Sequence, residues 1–178
     1  MTSPADPSRP PAKSLAAGDK AISLVGPSGS GKTELICRLL PWFEAQGLKV
    51  AVLKHTHKVD LGDKGKDTWR FAQAGARLVA LAGPGLLQIT QYAPEDPPLA
   101  TVLAALAPQA DLILVEGYKK SPLPKVAVVG PELENLLTDH SQVIALVSSE
   151  PVTSHLPVFH PHQTAELGAF IKKYLGYE

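Results

Sequence analysis

The stretch AISLVGPSGSGKTELI, residues 21–36, carries an apolar run, a glycine-rich turn and the start of a helical pattern in immediate succession. Its centre, Gly26 to Thr33, fits the spacing G-x-x-x-x-G-K-[ST], placed where a strand hands over to a helix. Gly29 and Gly31 let the backbone turn its N–H groups inward without a Cβ in the way, and the first turn of the helix adds unpaired donors and the positive end of its dipole. Such a loop cradles a phosphate. Lys32 is expected to reach the β and γ oxygens of a nucleotide, and the Thr33 hydroxyl to ligate Mg²⁺. Gly26, Ser28, Gly29, Ser30, Gly31, Lys32, Thr33 and Glu34 are the expected nucleotide-binding residues of this segment.

The rest of the chain continues the same rhythm. Lys32–Gln46 reads as a helix whose Leu35, Ile36, Leu39, Leu40 and Phe43 face a sheet, ended by Gly47 and interrupted by Pro41. KVAVLK, DLILVEG, KVAVVG and VIALVS read as strands, the second and fourth being continuous apolar runs that suit burial on both faces. RLVALAG and GLLQITQ flank Pro84 and Gly85 as a hairpin, and PEDPPLATVLAALA and Gln163–Leu175 read as helices. The expectation is an α/β protein of the P-loop NTPase type, three layers around a mostly parallel sheet, with an antiparallel hairpin as a possible extension. Residues 1–18, rich in Pro, Ser and Ala, read as a flexible tail, and residues 19–178 as one nucleotide-binding domain.

Composition narrows the function. Lysine plus arginine balances aspartate plus glutamate at 17 each, so no overall field draws the chain to nucleic acid or to an anionic membrane. The apolar window 99–115 is broken by Pro108, Gln109 and Asp111, which argues against a membrane span. A single cysteine excludes an internal disulfide, and with no recognisable leader the expected compartment is the cytoplasm. Cys37 is expected in core packing as an inert thiol. His155, His160 and His162 read as surface loop rather than as a metal site.

A P-loop needs an acidic partner for its metal at the carboxyl end of a neighbouring strand. Asp111 and Glu116 bracket DLILVEG and lie roughly 16 Å apart at about 3.3 Å per residue, so one of them is at the wrong end. Ligands of open α/β sheets sit at the carboxyl end, which selects Glu116, with Thr33, for the metal. Lys32, Thr33 and Glu116 form the expected catalytic set.

Residues 53–76, LKHTHKVDLGDKGKDTWRFAQAGA, together with the P-loop and DLILVEGYKKSPLPKV, carry a more specific signal. Lys54, His55 and His57 in KHTH, Asp63, Lys66 and Asp67, then Glu116-Gly117-Tyr118-Lys119 leading to Pro124-Lys125, resemble the molybdopterin-guanine dinucleotide biosynthesis adaptor family, commonly called MobB. The likeness spans roughly residues 20–175. It departs from the family pattern in the loop KVDLGDKGKD, which lacks a proline before Gly-Lys-Asp. The resemblance implies a P-loop fold, a homodimer, binding of GTP with Mg²⁺, at most slow hydrolysis, and a helper role beside the guanylyltransferase that joins GMP to molybdopterin. It makes Lys54, His55, His57, Asp63, Lys66 and Asp67 a switch segment that meets a pterin or a partner, each histidine having a solvated or packing role as its alternative. No N-K-x-D motif is present to read guanine. The family tends to carry a short Ser-Asp where this chain has Ser148-Ser149-Glu150-Pro151, so Glu150 is the candidate for the guanine N1 and N2 donors, against a plain turn charge.

Two other functions compete. A small P-loop kinase would carry arginines in a lid after VEGYKK, and none is there. A metallochaperone GTPase using His55 and His57 would usually show a Cys- or His-rich tract.

Overall fold

The computed structural model describes residues 17–130 and 142–177, so most of the expected tail, residues 1–16, lies outside the described residues. The chain divides into two compact units, one made of the residues up to His55 together with those from Leu99 on, the other of Thr56–Pro98.

The larger unit is built on six strands: β1 (Ala21–Val25), β2 (Val50–Lys54), β5 (Leu112–Glu116), β6 (Lys125–Val128), β7 (Val143–Val147) and β8 (Val158–Phe159). Their order is β2-β5-β1-β6-β7-β8, and every pairing is parallel. Parallel strands buried on both faces need apolar residues without alternation. Accordingly all five residues of β1 are buried, as are the first four of β5. The helices α1 (Lys32–Ala45) and α4 (Thr164–Tyr174) cover one face, where Leu35, Leu39, Phe43, Leu167 and Ile171 pack with Ile22, Leu24, Leu112 and Leu114. On the other face α3 (Leu99–Leu106) brings Leu103 against Ile113 and Val115. The expected three layers are therefore present.

The last turn of α1 closes as the sequence suggests. Gly47, at φ +73°, donates to Glu44 O at 2.9 Å, and Leu48 N donates to Phe43 O at 3.1 Å, which satisfies carbonyls the helix leaves open. One expectation fails here: Cys37 is exposed, not packed in the core. On a helix of 3.6 residues per turn Glu34, Cys37, Pro41 and Glu44 share one face, and all four are exposed, while Leu35, Ile36, Leu39 and Phe43 take the buried arc. Pro41 is tolerated within a continuous helix on that solvent side.

The smaller unit holds α2 (Asp67–Gln73) and the hairpin β3 (Leu78–Gly83) and β4 (Leu86–Gln91). The antiparallel pair is present, as a two-stranded sheet of its own, in the register Leu78↔Gln91 to Gly83↔Leu86 across the Pro84-Gly85 turn. The two-residue strand β8 has no counterpart in the sequence reading, since it is too short to show a period.

Candidate functional site

The chain leaves β1 through Gly26 and enters α1 at Lys32. Gly26, Gly29 and Gly31 have φ of +149°, +75° and +85°, conformations that L side chains rarely adopt. Gly26 has a second constraint: a Cβ there would stand 2.3 Å from the carbonyl oxygen of Val128 in the adjacent strand β6. Lys32 folds back over this loop, its Nζ donating to the Pro27 carbonyl and, at 3.3 Å, to Ser30 Oγ. Partial burial holds the Lys32 ammonium below the usual lysine range; Glu116 pulls the other way, and the charges of Lys119 and Lys54 add to the depression.

Glu116 ends β5 at the level of Leu24 in β1, beside the loop, and Asp111 lies at the far end of that strand. The register puts Glu116, and not Asp111, at the loop end of the strand. Asp111 instead accepts from Lys49 N at 2.9 Å, and its own carbonyl accepts from Tyr177 Oη at 2.6 Å, so it closes the amino end of the sheet. At the carboxyl end Thr33 Oγ1 donates to Glu116 Oε2 at 2.9 Å, and Lys54 Nζ lies 3.4 Å from Oε1. A threonine hydroxyl and a carboxylate held together are hard oxygen donors of the kind Mg²⁺ takes. The residues fit that ion.

The segment between β5 and β6, residues 117–124, crosses β1 without a helix. Parallel crossovers usually need a dozen residues or more. This one is short because Glu116 pairs with Leu24 and Lys125 with Ser23, so β6 begins at the level where β5 ends. Ser23 anchors both ends of the loop: its Oγ donates to Gly117 O at 2.9 Å and its N to Pro124 O at 2.9 Å. The buried Lys125, its pKa lowered by desolvation, donates to Ser121 O at 2.6 Å and Leu123 O at 3.1 Å. Ser23 escaped the sequence reading, and Lys125 was marked by resemblance without a role; a polar residue within an apolar strand was the available signal for Ser23. Tyr118, on this loop, takes φ +50° and lays its ring on that of His55 with centroids 4.3 Å apart. Gly117 leaves room for this, since a Cβ there would come within 3.0 Å of His55 Cβ.

The remaining candidates fall in three places. Glu150 follows β7 at the carboxyl end of the sheet, its side chain exposed and its backbone pinned by Ser148 Oγ, which donates to Glu150 O at 2.8 Å and accepts from Glu150 N at 3.1 Å. Glu34 and Ser28 are exposed, and Glu34 pairs with Arg38 at 3.2 Å along α1. His57, Asp63, Lys66 and Asp67 belong to the smaller unit, where Asp63 and Lys66 line a cavity of about 110 Å³ with Thr68, Gln88 and Thr90. Of the other histidines, His162 Nδ1 meets Arg38 Nη1 at 3.1 Å and His160 Nδ1 accepts from His162 N at 3.3 Å, so each ring already spends its Nδ1 on the protein.

A parallel sheet with a glycine-rich strand-to-helix loop, its lysine and threonine, and a carboxylate at the end of the neighbouring strand define a P-loop α/β protein. The family model for "Molybdopterin guanine dinucleotide synthesis protein B", MobB, matches residues 21–149, and the chain belongs to that family. It is 32% identical over 161 residues to the molybdopterin-guanine dinucleotide biosynthesis adapter protein of Haemophilus influenzae, covering 86% of this chain and 88% of that one. It is 35% identical over 147 residues to the probable adapter protein of Bacillus subtilis, covering 78% and 84%. The crystal structure of Bacillus subtilis MobB superposes with a TM-score of 0.73 at 30% identity, over 89% of this chain and 99% of that one. Among the described residues no helix is long and apolar enough to cross a membrane.

Proposed function

We propose that this chain is a GTP-binding adaptor of molybdopterin guanine dinucleotide synthesis, working in the cytoplasm as a homodimer. It holds GTP with Mg²⁺ and assists the guanylyltransferase that joins GMP to molybdopterin, with the Lys54 to Asp67 segment meeting that partner or the pterin. The observation that carries the reading is the convergence of Thr33 and Lys54 on Glu116 beside a loop whose lysine has its charge disfavoured by burial and by two neighbouring cations. Lys32 feels one nearby carboxylate, Glu116, against two nearby cations, Lys119 and Lys54, an excess of positive charge that a metal-bearing triphosphate would offset. When bound, Mg²⁺ would neutralise phosphate charge between Thr33 and Glu116. The protein's own groups bind and orient. In the larger unit the one described arginine, Arg38, is engaged by Glu34 and by the carbonyl of Pro161, so among the described residues of that unit no arginine is free to speed hydrolysis.

The test is a titration of the full chain with GTP and with ATP in the presence of Mg²⁺, repeated with the guanylyltransferase. Tighter binding of GTP and phosphate release below about one per second are expected. Rapid basal release, or phosphate transfer to a small acceptor without any partner, would refute the adaptor reading and favour a kinase.

Base selection gives a separate prediction. Glu150 is presented on a pinned turn with its carboxylate in solvent, as a group accepting from the guanine N1 and N2 donors must be. Glu150→Gln keeps the shape and removes the charge, and the preference for GTP over ATP should narrow by about 10-fold, as for a charge-assisted hydrogen bond lost. Binding curves for both nucleotides decide it. Unchanged selectivity means that guanine is read elsewhere.

A further inference from the structure

Lys54 and Glu116 are register partners across β2 and β5, so their side chains leave the sheet on the same face, the one covered by α1. The pair is lopsided: the lysine side chain is 58% exposed and the carboxylate 14%. An ammonium on a long, solvated stem is thus docked on a carboxylate that is itself fixed from the other side by Thr33.

That carboxylate is the group a metal-bearing nucleotide would claim. Once its charge is committed to a dication, an ammonium a few ångströms away faces like-charge repulsion and stays only if a further anion arrives with the ligand. A nucleoside triphosphate brings such an anion in its γ-phosphate, which has more than one free oxygen and can take a second cation besides Lys32. A diphosphate does not.

We propose that Lys54 reads the terminal phosphate of the bound nucleotide, exchanging its pairing with Glu116 for the γ-phosphate of a triphosphate. This rests on the GTP-binding reading above and adds to it a residue that separates GTP from GDP. Lys119 is the other nearby cation, but among the described residues the ion pair to the metal-side carboxylate is made by Lys54. The position of Lys54 also gives the exchange somewhere to go. The next residue, His55, continues the ladder through its N–H to Glu116 O at 2.9 Å, and Thr56 begins the smaller unit. The nucleotide state is thereby felt at the point where the chain enters the segment proposed to meet the partner.

The experiment compares the wild type with Lys54→Met and Lys54→Arg as full-length proteins with Mg²⁺, titrating each with GDP and with a non-hydrolysable GTP analogue, and recording a melting curve. Lys54→Met should lose about 10-fold or more in affinity for the analogue while binding GDP within about 2-fold of the wild type, and Lys54→Arg should keep the wild-type ratio. Equal losses for both nucleotides, or an unchanged ratio in a folded Lys54→Met protein, overturn the proposal while leaving GTP binding intact. A wild type that binds neither nucleotide overturns the GTP-binding reading itself, and this inference with it.

Discussion

Lys32→Ala should lower GTP affinity by roughly 10- to 100-fold, the loss expected for a charge-assisted contact of about 1.5 to 3 kcal/mol. Its melting temperature should stay close to that of the wild type. Both halves follow from the same environment. In the free protein the Lys32 ammonium has, among the described residues, the Pro27 carbonyl and Ser30 Oγ as bonded partners, and burial already disfavours its charge. The side chain therefore does little for the fold that alanine would lose. A bound triphosphate adds anionic charge in direct contact and raises the Lys32 pKa, so binding is strongest where the free protein is protonated at this position. Affinity should fall as pH rises through the lowered pKa of the free lysine, and the fall should disappear in the alanine variant. Calorimetric titration at several pH values checks both. A folded Lys32→Ala protein with wild-type affinity would show that the loop binds through its backbone alone.

Gly26→Ala should be the most damaging small substitution in the loop. Its Cβ would stand 2.3 Å from the Val128 carbonyl and 3.0 Å from Ser30 Oγ, at a φ of +149°. The first neighbour is backbone of an adjacent buried strand, so it cannot swing aside. Strain at that φ and overpacking against β6 together should cost about 2 to 5 kcal/mol. Gly29→Ala is the control: its φ is +75° but nothing lies within 4 Å, so only the conformational term of about 1 kcal/mol applies. Urea unfolding of the two variants should rank them in that order. Equal midpoints would mean that β1 and β6 yield at this contact, and the close approach would lose its explanatory weight.

The hairpin, the P-loop and the two doubly buried strands were legible because each is a local pattern. A turn flanked by apolar runs, a fixed glycine spacing and an unbroken apolar run each arise within a few residues. The choice of Glu116 over Asp111 was also legible, since strand direction alone separates their ends. What the residues did not reveal was mostly pairwise. Ser23 holds the 117–124 loop, Lys125 caps its carbonyls, and Lys54 meets Glu116, all through contacts between segments distant in sequence. Cys37 failed for a related reason: its type favours burial, but its place on α1 is three residues after Glu34 and four before Pro41, on the arc that the sheet does not cover.

By itself the sequence determined the class of fold, the glycine-rich strand-to-helix loop with Lys32 and Thr33, and, through KHTH, Glu116-Gly117-Tyr118-Lys119 and Pro124-Lys125, the family. These are properties of residue type at fixed spacing, which the chain carries whatever its surroundings. Only the tertiary structure decided that β6 starts level with the end of β5, that Gly26 has no room for a Cβ, and that one carboxylate is shared by a threonine and a lysine. The physical reason is that strand order brings β2, β5, β1 and β6 side by side, and neither a clash nor an ion pair exists until that neighbour is in place.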